Sequence, residues 1–139
     1  MTAFEQKHLK AVGSLHETSG LETVPITIHP GRNPRAPFEI LRILTEAGAK
    51  ENKIVMGHLD RTIHDKSLLK EFGEEFNCYL EFDLFGKEHS HYQMDTECFM
   101  PNDGERLHRI KVKLDFFLCT IFENANFVND TTGPMFSIN

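Results

Sequence analysis

Val24-Pro25-Ile26-Thr27-Ile28-His29-Pro30-Gly31 and Lys53-Ile54-Val55-Met56-Gly57-His58-Leu59-Asp60 decide the fold. Each reads as a β-rich run that reaches a histidine and then turns. The histidines stand 29 residues apart (58 − 29), with one amphipathic stretch between them. That is the length of one β/α unit, and such a crossover makes its two strands parallel. Both imidazoles then fall on the same rim of a parallel sheet, and (β/α) barrels place their chemistry on the C-terminal rim. Two neutral imidazoles converging there make half of a divalent-metal site, because imidazole suits zinc and similar ions. A catalytic zinc takes three protein ligands as a rule, and this rim offers two histidines.

Working outward, Thr2 and Glu5 form a capping-box pattern, and Phe4, Leu9, Val12 and Leu15 follow at helical spacing. His16 to Gly20 reads as the run-out of that helix. Thr23 to His29 is the first strand, with Pro25 near its start, where a missing donor does least harm. After a loop from Pro30 to Ala36, Pro37 suits the first position of a helix whose buried stripe is Phe38, Leu41, Leu44 and Ala47. Gly48 stops that helix. Lys53 to Gly57 is the second strand. A helix from about Asp65 to Phe72 turns Leu68, Leu69 and Phe72 inward, and Asn77 to Asp83 is the third strand. A polar loop, Lys87 to Asn102, leads to a last helix capped by Asp103 and carrying Leu107, Ile110 and Leu114. Strands alternating with helices in this order predict a parallel α/β sheet.

The chain has 139 residues. A closed eight-stranded barrel needs about 250 residues, so the sequence predicts a partial barrel with one sizeable core. Net charge is −6 with a pI near 5.7. The basic residues are scattered, which argues against a nucleic-acid surface. Cys78, Cys98 and Cys119 make no C-x-x-C pair, as expected of a reduced intracellular protein. The sequence starting at Met1 shows no apolar signal region, and the longest apolar run, Phe116 to Phe122, is far shorter than the roughly 20 residues of a bilayer span. The expectation is a cytoplasmic chain with no membrane partner.

Four further groups carry candidate chemistry. Asp60, two residues past His58, suits either orientation of an imidazole or capping of the turn Asp60-Arg61-Thr62. Asp83 ends the third strand and is a candidate general base, metal partner or substrate contact, and Glu81 shares its face of the strand. Arg32, Arg35 and Arg61 follow the strand-end histidines and suit an anionic substrate group, with a solvated role as the alternative for each. His89-Ser90-His91 has the H-x-H pattern of some metal sites but no strand before it to aim both rings, so it reads as loop. No Gly-rich phosphate loop, nucleophile elbow or Cys/His dyad is present, which leaves nucleotide binding and serine or cysteine hydrolysis unsupported.

Three stretches together, Ile26 to Ile40, Gly57 to Thr62 and Tyr79 to Gly86, resemble the phosphotriesterase-related proteins of the amidohydrolase superfamily. The resemblance covers roughly residues 22 to 113. It implies that the chain is about three β/α units of a TIM-type (β/α)8 barrel, its strands being the fifth to seventh. It also implies that His29 and His58 match the family's fifth- and sixth-strand metal ligands. The implied activity is hydrolysis of an ester, lactone, phosphotriester or N-acyl amide of a small molecule, assisted by two zinc-like ions. The family's first-strand H-x-H, its bridging fourth-strand acid and its eighth-strand aspartate have no counterpart here. The expected organisation is a partial hydrolase barrel over 1–113 and a divergent tail over 114–139. The alternative is a truncated, non-catalytic product that binds metal weakly, associates with a full-length relative, or self-associates through open sheet edges.

Overall fold

The computed structural model describes residues 1–18, 20–86 and 101–111. The chain separates into two compact units, Met1–Leu84 and Phe85–Asn139. His89-Ser90-His91, Cys98, Cys119 and the tail 114–139 lie outside the described residues.

The first unit is a three-stranded parallel sheet covered by helices. Its elements are α1 (Ala3–His16), β1 (Ile26–Ile28), α2 (Ala36–Glu46), β2 (Ile54–Met56), α3 (Leu59–Thr62), α4 (Lys66–Glu75) and β3 (Tyr79–Leu80), with a single 3-10 turn at Glu51–Lys53. The strands lie in the order β1-β2-β3. Ile26, Thr27 and Ile28 pair with Ile54, Val55 and Met56, and Val55 and Met56 pair with Tyr79 and Leu80. Alternation along the strands splits the sheet into two faces. Ile54, Met56 and Cys78 join the helix-facing core, with Ile26, Ile28, Leu80 and Phe82 packed against it. The residues of opposite parity face away from the helices: Thr27, His29, Val55, Gly57, Tyr79, Glu81 and Asp83.

The core between α2 and α4 is an aromatic cluster. Phe38 meets Phe72 edge-on at 5.0 Å between ring centroids, and Phe76 lies 5.9 Å from Phe38 and 5.3 Å from Phe72. These separations suit the ring quadrupoles as well as burying apolar area. Seating Phe76 carries α4 one turn beyond the expected Phe72, through Gly73 to Glu75. Asp65 caps it by accepting the Leu68 amide at 2.8 Å. Two exposed ion pairs, Arg35–Glu71 at 2.6 Å and Arg42–Glu75 at 2.7 Å, join the same helices. Such pairs contribute little beside the aromatic packing.

The sequence pattern misleads at α1. The capping box forms, with Thr2 Oγ1 accepting the Glu5 amide and Glu5 accepting the Thr2 amide. Yet Phe4, Val12 and Leu15 are exposed. The inward face is Leu9, Gly13 and His16, with α1 packed on α2. A Cβ on Gly13 would stand 2.6 Å from both Ala47 Cβ and Leu44 O, so this glycine is what lets the helices touch. His16 is buried rather than part of a run-out: its Nδ1 accepts the Lys50 amide at 3.4 Å and its Nε2 donates to Val24 O at 2.9 Å. That pairing fixes the neutral Nε2–H tautomer.

The strands are shorter than their β-rich runs. β2 stops at Met56, shortly before His58 turns left-handed at the rim, and β3 is regular only over Tyr79–Leu80. Pairing continues as single hydrogen bonds: Gly57 N–H to Ile28 O at 2.9 Å, Glu81 N–H to Met56 O at 3.0 Å, and Leu59 N–H to Glu81 O at 3.1 Å.

In the second unit residues 103–111 are helical. The cap is Asn102 rather than Asp103: Asn102 Oδ1 accepts the Glu105 amide at 2.8 Å and Glu105 accepts the Asn102 amide at 2.9 Å. Asp103 instead pairs with the buried Arg106 at 2.7 Å and accepts the Gly86 amide. Among the described residues no helix is long and apolar enough to cross a membrane.

Candidate metal centre

The C-terminal ends of all three strands open on one rim, and there the chain builds a line of three side chains. His29 follows β1 directly, and Pro30 behind it is buried, fixing where the chain turns. His58 follows β2 in the left-handed conformation, with φ 54° and ψ 31°, and is the sole non-glycine residue with positive φ among the described residues. Such a backbone costs of order 1–3 kcal/mol and persists where surrounding structure over-determines it. Here Gly57 is bonded to β1, Leu59 is bonded to Glu81, and α3 begins at Leu59. His58 precedes α3 without capping it through its side chain, and the imidazole goes to the rim instead.

His29 Nδ1 lies 2.7 Å from His58 Nε2, with ring centroids 4.7 Å apart and planes tilted by 42°. On the far side of the second ring, His58 Nδ1 lies 2.8 Å and 2.7 Å from the two oxygens of Asp83. An ionised carboxylate only accepts, so the Nδ1 proton of His58 points at Asp83 and His58 Nε2 presents its lone pair toward His29. The side chains of His58 and Asp83 are 16% and 28% exposed, a setting in which the bond keeps much of its charge-assisted strength.

These donors lie in series rather than around a point. Among the described residues no three His, Cys, Asp or Glu side chains converge as a metal cage would need. Two imidazole nitrogens do face one another, one of them held from behind by a carboxylate, as metal-ligating histidines commonly are. His29 Nδ1 and His58 Nε2 would be the atoms to hold a zinc ion, and imidazole nitrogen is a donor that zinc commonly takes. The donor set therefore fits half of a zinc site.

The other expected residues fall around this line. The carboxylate that grips His58 is that of Asp83, whereas Asp60 is fully buried and accepts the Leu84 amide at 3.2 Å, anchoring the segment after β3. Thr62 donates to Gly31 O at 3.3 Å, tying α3 to the loop after β1. Arg32 lies in that loop and Arg61 in α3, both partly buried. Arg35 turns outward, onto the Phe38 ring and Glu71.

A parallel β/α sheet carrying histidines at its C-terminal rim, laid out in this order, is a segment of a TIM-type (β/α)8 barrel. Solved structures agree: a mutant PTE-like lactonase of Deinococcus radiodurans superposes with a TM-score of 0.66 and 25% sequence identity over 84% of this chain and 32% of its own. The sequence profile of the Phosphotriesterase family matches residues 1–116, and the chain belongs to that family. N-acetyltaurine hydrolase of Bos taurus is 48% identical over 115 residues, 83% of this chain and 32% of the relative. The phosphotriesterase-related protein of Aedes aegypti is 45% identical over 114 residues, 82% of this chain and 31% of the relative. The chain thus spans about a third of the length of the curated relatives it matches.

Proposed function

We propose that this chain is the fifth-to-seventh-strand segment of a zinc-dependent hydrolase that cleaves an N-acyl amide of a small, anionic substrate. The observation that carries the reading is the His29–His58–Asp83 line at the C-terminal rim. His29 Nδ1 and His58 Nε2 would hold the metal, joined by donors from the rest of the barrel. Zinc bound there supplies Lewis acidity toward a scissile carbonyl oxygen. Asp83 holds the Nδ1 proton of His58 and so keeps Nε2 available as a donor, acting as a positioning residue. Arg32, in the loop after β1, and Arg61, in α3, would be the residues to meet an anionic group, such as the sulfonate of the substrate for which the mammalian relatives are named.

Taken by itself, the chain binds zinc weakly and is catalytically silent. Support for this second reading is that two imidazoles, rather than three or more converging donors, are available among the described residues. The outer edges of β1 and β3 carry no further strand among those residues, which favours self-association.

A chimera tests the main reading. Residues 1–113 replace the matching segment of the Mus musculus N-acetyltaurine hydrolase, which is 49% identical over 115 residues. The zinc-loaded chimera is assayed on N-acetyltaurine, a carboxylester, a lactone and a phosphotriester. Amide hydrolysis that is lost in His58→Ala is the expected result. A folded, zinc-loaded chimera that turns over none of the four contradicts it.

A further inference from the structure

One carboxylate beside the histidine pair has no structural role to account for its place. The register pairs Ile28 with Met56 and Met56 with Leu80, so the next step puts His29, Gly57 and Glu81 in one row across the three strands. This row has the parity of the face turned away from the helices. Its central position is a glycine, which leaves a gap between the two outer side chains. Glu81 leans into the gap: a Cβ on Gly57 would stand 2.9 Å from Glu81 Oε2, and equally 2.9 Å from Ile28 O. The backbone beneath Glu81 is held on both sides of His58, by Met56 O at 3.0 Å and by the Leu59 amide at 3.1 Å. The main chain of Glu81 thus has a set place, and its carboxylate lies over Gly57, next to His58 in sequence. It is partly buried, and among the described residues no side-chain hydrogen bond or ion pair engages it. A carboxylate drawn partly out of water with no partner is costly, unless something from outside the chain meets it.

We propose that Glu81 is a specificity-determining residue that accepts a hydrogen bond from the N–H of an acyl-amide substrate. The inference rests on the hydrolase reading above and adds a reason for its substrate class. An ionised carboxylate accepts and does not donate. Esters, lactones and phosphotriesters bring only oxygen lone pairs to the scissile bond, and these repel it. A secondary amide brings one N–H. Gly57 is the accomplice, because any side chain there would drive Glu81 out of the row.

The test uses the 139-residue chain itself, loaded with zinc and followed by amide shifts during titration. The two probes are N-acetyltaurine and 2-acetoxyethanesulfonate, in which oxygen replaces the N–H and nothing else changes. A charge-assisted hydrogen bond predicts about a tenfold preference for the amide, with the largest shifts at Gly57, Leu59 and Glu81. Glu81→Leu brings the two affinities together, and Glu81→Gln, isosteric and still an acceptor, keeps part of the preference. Equal binding of the two probes, shifts confined to other residues, absence of binding, or an unchanged preference in Glu81→Leu overturns the proposal. Failure of the hydrolase reading shows separately, as a chimera that is folded and zinc-loaded yet inert.

Discussion

Replacing Asp83 tests how the rim controls its central histidine. The bond from His58 Nδ1 to Asp83 is 2.7–2.8 Å long, between side chains 16% and 28% exposed. Hydrogen bonds to charged groups contribute about 1.5–3 kcal/mol, and partial exposure moves this one toward the lower end, about 1–2 kcal/mol. That energy acts on one tautomer only, since the Nε2–H form offers Asp83 no proton. Asp83→Leu should therefore shift the His58 tautomer ratio toward Nε2–H by roughly 5- to 30-fold. Asp83→Asn, which keeps a neutral acceptor, should shift it less. Long-range nitrogen–proton correlation spectra of the metal-free chain, recorded where both histidines are neutral, read the ratio directly. The same loss should weaken zinc binding by about 10- to 100-fold, the usual effect of removing a carboxylate behind a histidine ligand. A His58 ring that is already Nε2–H in the parent chain, or that does not respond to Asp83→Leu, would refute the reasoning.

Two further outcomes follow from the first helix. Gly13→Ala gains about 1 kcal/mol of helix propensity but forces a Cβ to within 2.6 Å of Ala47 Cβ and Leu44 O, and overpacking of this kind costs about 1–3 kcal/mol; a lower midpoint in urea is expected, and a higher one would show that α1 does not pack there. Glu5 has its pKa lowered below 4.5 by the hydrogen bonds from the Thr2 amide and hydroxyl. Because the folded value is the depressed one, the cap contributes fully above 4.5 and is lost as pH falls through the folded pKa. Backbone shifts of Thr2 and Glu5 should titrate in that window and become flat in Glu5→Gln.

The rim was legible in the sequence where patterns repeat. His29 and His58 each end a β-rich run, one β/α unit apart, and parallel pairing brings them to one rim with Asp83. The line they form was less legible, because it depends on the positive φ of His58, which no local pattern announces. By spacing Asp60 was the carboxylate expected to orient an imidazole and Asp83 a general base, metal partner or substrate contact, whereas it is Asp83 that meets His58 Nδ1 and Asp60 that holds the Leu84 amide. At α1 the apolar residues at helical spacing pointed to the wrong face. The buried face uses Gly13, a glycine that meets α2 by having no side chain, and His16, a histidine that packs by satisfying Val24 and Lys50 on either side of that helix. Hydrophobic spacing reports neither. The Asn102/Glu105 box at the last helix is written in the sequence, since Asn-x-x-Glu is a capping pattern in its own right.

The most direct measurement of the central claim is a zinc titration of the chain by calorimetry, beside His29→Ala and His58→Ala. The account predicts weak binding to the parent, removal of most of that affinity by either substitution, and zinc-dependent shifts at His29 Nδ1 and His58 Nε2. Either variant binding zinc as well as the parent chain would contradict it.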